Sequence, residues 1–174
     1  MSKFKKISKE GFTYQYAKDF LEDKNPYSDT FSGEIYEGIK LPKRATKGSA
    51  GYDFYSPFDF ILKAGKTIKI PTGIKWETSD NENNLVLKIY PRSGHGFKYR
   101  VQLDNTVGVI DSDYCNSDNE GHIWIKLTND GNEDKILIVK QGEGIAQGII
   151  QEFFITEDDM SEGIRNGGFG STSK

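Results

Sequence analysis

The sequence predicts an all-β domain, a barrel or sandwich of the jelly-roll kind, and three features predict it. Apolar residues fall in short runs, several with period two. These include Thr67 to Ile70, Ile74 to Trp76, and Ile123 to Leu127 with three aliphatics on one face. Gly, Pro, Asn and Asp punctuate the runs, and Pro42, Pro57, Pro71 and Pro91 stand at run edges, where a missing N–H is tolerated. Beyond about residue 34 no long stretch carries a helical period. A chain of 174 residues suits one such domain with a real core.

Taken in order, residues 1–34 are polar and aromatic. Phe12, Tyr16 and Phe20 recur every four residues and Leu21 extends that face. The spacing predicts a short helix from about Thr13 to Glu22, broken by Asn25-Pro26. This segment is expected to be a helical or irregular extension packed on a domain covering 35–160. Leu85 to Tyr90, Ile136 to Val139, Ile145 to Ile150 and Phe153 to Ile155 complete the expected strands. Residues 80–84 and 129–134 read as hydrophilic turns. Residues 161–174 are glycine-rich, with Arg165 and Phe169 among them, and cannot form a core. They are a frayed tail or a mobile arm that orders over a ligand.

Composition narrows the function classes. A net charge of -3 and a pI of about 5.5 argue against a general nucleic-acid or membrane-surface binder. Cys115 is the single cysteine, so no intrachain disulfide forms, and His95 and His122 lack metal-ligand spacing. The first ten residues carry lysines with no apolar run behind them, so no signal peptide is expected. No stretch reaches the length of a membrane span. A soluble, cytoplasmic protein is the expectation.

The stretch from Leu103 to Tyr114 is where chemistry concentrates. Val109 and Ile110 read as strand, and Asp111 closes it, half out of water. A carboxylate there suits a general base that activates water. Asn105 offers both donors and acceptors, as reading a nucleobase edge requires, and Gly108 lets backbone bend or approach a ligand. A plain hairpin with solvated acids is the alternative. Four other stretches have a similar look. Asp53, in Ala50 to Ser56, reads as a cap acid or a holder of water on a divalent cation. Arg92, Ser93 and Gly94 follow a strand and read as a β-turn or as an anion site of guanidinium, hydroxyl and backbone N–H. Gly142 to Gln147 leads a strand and supplies Gln147 as a neutral polar contact, or is a plain hairpin. The C-terminal segment supplies Arg165 and Phe169, whose natural partner is a flat ring. Ala64 to Thr67 has a phosphate-loop look, but Phe60 stands where the first glycine belongs. A triad written from Ser93, His95 and Asp111 has weak grounds.

Together and in this order the five stretches, Ala50 to Ser56, Arg92 to Gly94, Asn105 to Tyr114, Gly142 to Gln147 and Arg165 to Thr172, resemble the trimeric dUTPase family. The resemblance implies a β jelly roll, a homotrimer with three shared sites, and Mg²⁺-dependent hydrolysis of dUTP to dUMP and pyrophosphate. It also implies roles. Asp111 is the base that activates water, and Asn105 with the backbone at Val109 and Ile110 reads uracil. Tyr114 lies under the deoxyribose, and Arg92, Ser93, Gly94 and Gln147 touch the phosphate chain. Asp53 orients waters on the Mg²⁺. Arg165 grips the γ-phosphate, Phe169 covers the uracil, and Gly170, Ser171 and Thr172 add phosphate contacts.

The chain departs from the family pattern at four places. Gly144 stands where the family usually has arginine. Arg165 lies four residues before Phe169, one closer than the common spacing. Cys115 to Glu120 looks like an insertion after Tyr114, and residues 1–34 have no counterpart in the minimal domain. Two other readings compete: a dCTP deaminase of the same fold, and a nucleotide-gated regulatory protein with a protein partner docking on the extension or the insertion.

Overall fold

The computed structural model describes residues 2–18, 32–79, 84–131, 133–163, 165 and 167. Eleven strands are described: β1 (Lys3–Lys6), β2 (Lys43–Arg44), β3 (Tyr52–Tyr55), β4 (Phe60–Leu62), β5 (Thr67–Glu77), β6 (Leu85–Pro91), β7 (Val101–Leu103), β8 (Gly108–Asp111), β9 (Ile123–Asn129), β10 (Leu137–Val139) and β11 (Gly144–Glu152). Three short α-helices, α1 (Lys9–Tyr16), α2 (Ser32–Gly38) and α3 (Ser93–Tyr99), and a single 3-10 turn at Tyr114–Asn116 accompany them among the described residues. The strands form a four-stranded sheet in the order β1-β5-β9-β7, a five-stranded sheet in the order β2-β3-β11-β6-β8, and the pair β10-β4. The pairings are antiparallel. This is the jelly-roll-like β architecture that the period-two runs predict.

The runs become strands because alternate side chains enter one core. Ile68 and Ile70 of β5, Ile123, Ile125 and Leu127 of β9, and Leu87 and Ile89 of β6 are all buried in it. Midway along β5 the ladder slips between Pro71 and Ile74. Pro71 has no N–H to give, so a bulge falls there naturally. Gly73 takes a left-handed φ of 68°, a conformation that a side chain would strain. Its N–H donates to Nε2 of buried His122 at 2.8 Å, and Thr72 Oγ1 donates to the Ile123 carbonyl at 2.5 Å. The imidazole therefore fills the bulge and satisfies the donor that the ladder drops.

Several expectations need correction. The N-terminal helix, Lys9–Tyr16, begins four residues before the expected Thr13, because Ser8 caps it and accepts from the Gly11 N–H at 2.9 Å; residues 19–22 lie outside the described residues. Phe20, Leu21 and Asn25-Pro26 lie outside the described residues. Ahead of that helix, β1 pairs with the far end of β5, with Phe4 opposite Trp76. Ile7, Phe12, Tyr16, Ile35 and Ile39 share the barrel's core, so this segment is woven into the domain. The turn expected after Pro91 is helix α3, which ends at Arg100 in a left-handed conformation. No strand forms at Phe153 to Ile155. Glu152 is already opposite Leu85, the first residue of β6, and in the stretch beyond it only the Phe153 N–H finds a backbone partner among the described residues, the Asn84 carbonyl at 2.9 Å. Phe154 is 93% exposed.

Among the described residues no helix is long and apolar enough to cross a membrane.

His122 gives the fold a pH dependence. Burial, and secondarily the charge of Lys69, pushes its pKa down to about 3. Between that value and the ordinary one near 6.5 the unfolded chain binds a proton that the folded chain refuses. Stability therefore falls as pH drops below about 6.5. From pH 7 to pH 5 the expected loss from this group is about 2 kcal/mol. Denaturant unfolding at the two pH values checks it, and His122→Asn should flatten the difference.

Candidate active site

The five-stranded sheet carries two groups of polar residues, one near each end of β6. At the first end Asp53 on β3 lies opposite Gln147 on β11, and Gln147 lies opposite Tyr90 on β6. Arg92 follows directly after β6. Its Nε stands 3.6 Å from Asp53 Oδ1, with the Asp53 side chain 19% exposed. Gln147 Nε2 donates to the Pro91 carbonyl at 3.4 Å. Ser93 and Gly94 are exposed on the first turn of α3, where helix geometry leaves backbone N–H groups without a carbonyl partner. An acid, a guanidinium, an amide and free N–H groups thus gather around one sheet end, a set suited to an anion and its counter-cation.

Gly144 belongs to this cluster for a steric reason. Arg92 Nη1 donates to the Gly144 carbonyl at 3.3 Å. A Cβ built at Gly144 would stand 2.3 Å from that same Nη1 and 2.9 Å from Cζ. The absent side chain at 144 is the seat of the Arg92 guanidinium.

At the second end, the turn between β7 and β8 presents Asn105, and Thr106 in it takes a φ of 60°. Along β8 the side chains alternate. Gly108 and Ile110 are buried, while Val109 and Asp111 face out. The Asp111 side chain is 51% exposed, as expected for a strand-closing acid. Arg165 Nη1 lies 2.5 Å from Asp111 Oδ2 and 3.1 Å from Asp113 Oδ1. Its guanidinium also lies over the Tyr114 ring, 5.2 Å from the centroid. Tyr114 is the residue whose placement differs most from a simple platform. It is 3% exposed, its hydroxyl donates to the His122 carbonyl at 2.9 Å, and burial raises the pKa of its phenol. A sugar reaching that ring has to take the place of Arg165.

The two ends do not meet within one chain. Asp111 is opposite Val86, whereas Gln147 is opposite Tyr90 and Arg92 follows Pro91. Five residues of β6 separate Val86 from Pro91, about 17 Å along an extended strand. The same spacing disposes of a Ser93–His95–Asp111 triad, since the first two sit on α3 at the far end. Ala64 to Thr67 is the turn between β4 and β5, with Gly65 at a φ of 70°, and not a phosphate loop. Phe169, Gly170, Ser171 and Thr172 lie outside the described residues. Among the described residues no group of three His, Cys, Asp or Glu gathers as a metal cage. Asp53, a single carboxylate with its side chain 19% exposed, is of the type that reaches a hydrated Mg²⁺ through water rather than caging it.

A cavity of about 660 Å³ opens beside Asn105, Gly108 and Ile110, and Gln15 of α1 and Asn119 also line it. These last two are 104 positions apart in sequence and carry no shared motif, so no local signal marks them.

Antiparallel sheets wrapped on one core, with acid, amide and guanidinium at a sheet end, define a jelly-roll protein of the all-β class. Within that class the chain belongs to the dUTPase family, whose model matches residues 37–173. The deoxyuridine 5'-triphosphate nucleotidohydrolase of Lactococcus lactis subsp. lactis is 39% identical over 138 residues, covering 78% of this chain and 89% of that protein. That of Pectobacterium carotovorum subsp. carotovorum is 40% identical over 147 residues, covering 80% and 91%. The crystal structure of dUTPase from Streptococcus mutans superposes with a TM-score of 0.58 at 35% identity, over 70% of this chain and 91% of that one. A Staphylococcus bacteriophage 80alpha dUTPase, solved with dUpNHpp, superposes with a TM-score of 0.59 over 94% of this chain and 97% of that one. At 18% identity that likeness concerns the fold alone.

The seat of Arg92 can be tested by a double-mutant cycle. Arg92→Ala and Gly144→Ala remove the same contact, so their effects on unfolding free energy should be non-additive, by about 0.5 kcal/mol or more. Strict additivity would show that the guanidinium does not rest on Gly144.

Proposed function

We propose that the chain hydrolyses dUTP to dUMP and pyrophosphate, as a homotrimer whose sites each join residues of different chains. The observation that carries this reading is the register of β6. It holds Asp111 about 17 Å from Arg92, Asp53 and Gln147, too far for one chain to serve both ends of a reacting phosphate, where groups must sit about 3 Å from the atoms they act on. Two copies brought together bring one chain's Asp111 beside another's Arg92, and closed symmetry repeats that contact three times.

In this reading Asp111 accepts a proton from a water molecule as the water oxygen bonds to the α-phosphorus. The bond from the α-phosphorus to the oxygen bridging it to the β-phosphorus breaks, and pyrophosphate leaves with that oxygen. Arg92, the N–H groups at Ser93 and Gly94, and Gln147 hold the phosphate chain. The molecule's net charge is -3, so the charge of the triphosphate has to be met locally by such groups. Mg²⁺, carried by the phosphates and reached by Asp53 through water, would offset further charge there. Asn105 and the backbone at Val109 and Ile110 hydrogen-bond the uracil, and a cytosine would leave buried groups unpaired. Tyr114 underlies the sugar. Residues 161–174 close as an arm: Arg165 moves from Asp111 to the γ-phosphate, Phe169 covers the base, and Gly170, Ser171 and Thr172 add phosphate contacts.

Pyrophosphate release from dUTP with Mg²⁺ is the primary measurement. Asp111→Asn should lower kcat at least 100-fold, and near-normal turnover would remove Asp111 from the role of base. The mass in solution should be three times the 19.6 kDa chain. The shared site has its own signature. Asp111→Asn and Arg92→Ala chains, each nearly inactive alone, should regain about a quarter of wild-type sites when co-expressed in equal amounts, by random assortment in a symmetric trimer. No recovery would place both groups in one chain's site.

A further inference from the structure

The two segments without counterpart in the minimal family domain, the N-terminal extension and the insertion after Tyr114, are each other's partners. Ser8, the cap of α1, gives its N–H to Glu120 Oε2 at 2.8 Å and its hydroxyl to Glu120 Oε1 at 2.5 Å. Two turns along α1, Gln15 Nε2 donates to the Asn119 carbonyl at 3.1 Å. Gln15 Oε1 lies 2.8 Å from His122 Nδ1. Because Gly73 N–H occupies Nε2 of that ring, Nδ1 carries the proton and donates to Gln15.

From Asn119 the bonds run on to the candidate site. Its Nδ2 donates to the Tyr114 hydroxyl at 2.9 Å, and its Oδ1 accepts from the Gly121 N–H at 3.0 Å. The Tyr114 hydroxyl passes its own proton to the His122 carbonyl. Tyr114 is therefore held from two directions, by the insertion and by the residue that Gln15 grips. The same α1 and insertion residues, Gln15 and Asn119, line the cavity beside Asn105, Gly108 and Ile110. A generic packing role would explain the Ser8–Glu120 bonds. It would not require the chain of donors to run on to the buried Tyr114 hydroxyl.

We propose that Gln15 and Asn119 are positioning residues for Tyr114: helix α1, acting through the insertion, fixes the tilt of that ring and so sets the preference for a deoxyribose over a ribose nucleotide. This rests on the nucleotide reading of the site given above. A ring held by a directional pair of hydrogen bonds keeps one face against the sugar. Freed from them, it turns about its side-chain torsions and makes room for a 2′-hydroxyl.

The test uses the full-length protein and measures kcat and KM for dUTP and for UTP in wild type, Gln15→Ala, Asn119→Ala and Asn119→Asp. The last is isosteric and keeps the Oδ1 acceptor, but it replaces the donor to Tyr114 with a charged oxygen that can only accept and so draws the Tyr114 hydroxyl away from the His122 carbonyl; it serves if an alanine variant fails to fold. Ser8→Ala is the control, because it loosens the extension while leaving the relay in place. The expected result is a fall of about tenfold in the dUTP-to-UTP ratio of kcat/KM in the three relay variants, carried by KM. The kcat for dUTP should stay within about threefold of wild type, and Ser8→Ala should keep the wild-type ratio; one lost hydrogen bond has effects of this order. Relay variants with the wild-type ratio overturn the inference while leaving the site reading intact, and so does a Ser8→Ala shift as large as theirs. A wild-type protein that does not turn over dUTP overturns the site reading, and the inference with it.

Discussion

The antiparallel register of β6 is the constraint on which the rest depends. That strand is sandwiched between β11 and β8, and its ladder bonds set which residues stand abreast. Slipping it by one residue would turn Leu87 and Ile89 out of the core and Lys88 and Tyr90 in, so burial enforces the register. Once it is set, Asp53, Gln147 and Arg92 share one end of the sheet and Asp111 takes the other. The distance between an acid suited to activate water and a cluster suited to bind phosphate is thus a consequence of core packing. Assembly of several chains is the economical way to close such a gap without breaking the core.

Within the cluster around Asp53, the glycine at 144 leaves the room that an arginine side chain fills. A side chain at 144 would occupy the volume that the Arg92 guanidinium now fills. The Arg92 guanidinium stands in that space beside Asp53. The 3.6 Å pair with Asp53 is loose and partly exposed, which makes it weak as a source of stability. The same looseness leaves the guanidinium available to a more highly charged partner.

The bulge at Pro71 to Gly73 links the barrel to the N-terminal segment. His122 satisfies the Gly73 N–H on one side of its ring and reaches Gln15 on the other, with Phe12 and Trp124 packed against it. A neutral ring is essential to this arrangement, since protonating Nε2 would set two donors face to face. Helix α1, the bulge at Gly73 and the stretch from Tyr114 to His122 therefore form one hydrogen-bonded unit, although they come from three separated parts of the chain.

Much of the molecule is legible in the order of its residues. The period-two runs determine strand at 67–70, 74–76 and 123–127, because alternation carries its own geometry. The strand-closing position of Asp111 follows from the run that precedes it. Asp53, Arg92, Asn105, Gln147 and Arg165 stand out because their residue types recur in a recognisable order. Other features depended on contacts across the chain. Residues 3–6 became a strand only because β5 offered an edge, and Ser32–Gly38 a helix because Ile35 found the core; short segments of modest propensity take the structure their burial rewards. That Gly144 seats Arg92, and that Gln15 reaches Tyr114 through Asn119, was decided by tertiary structure alone. Hydrogen bonds and close contacts act over a few ångströms, and residues about 100 positions apart come that close only when the whole fold has formed.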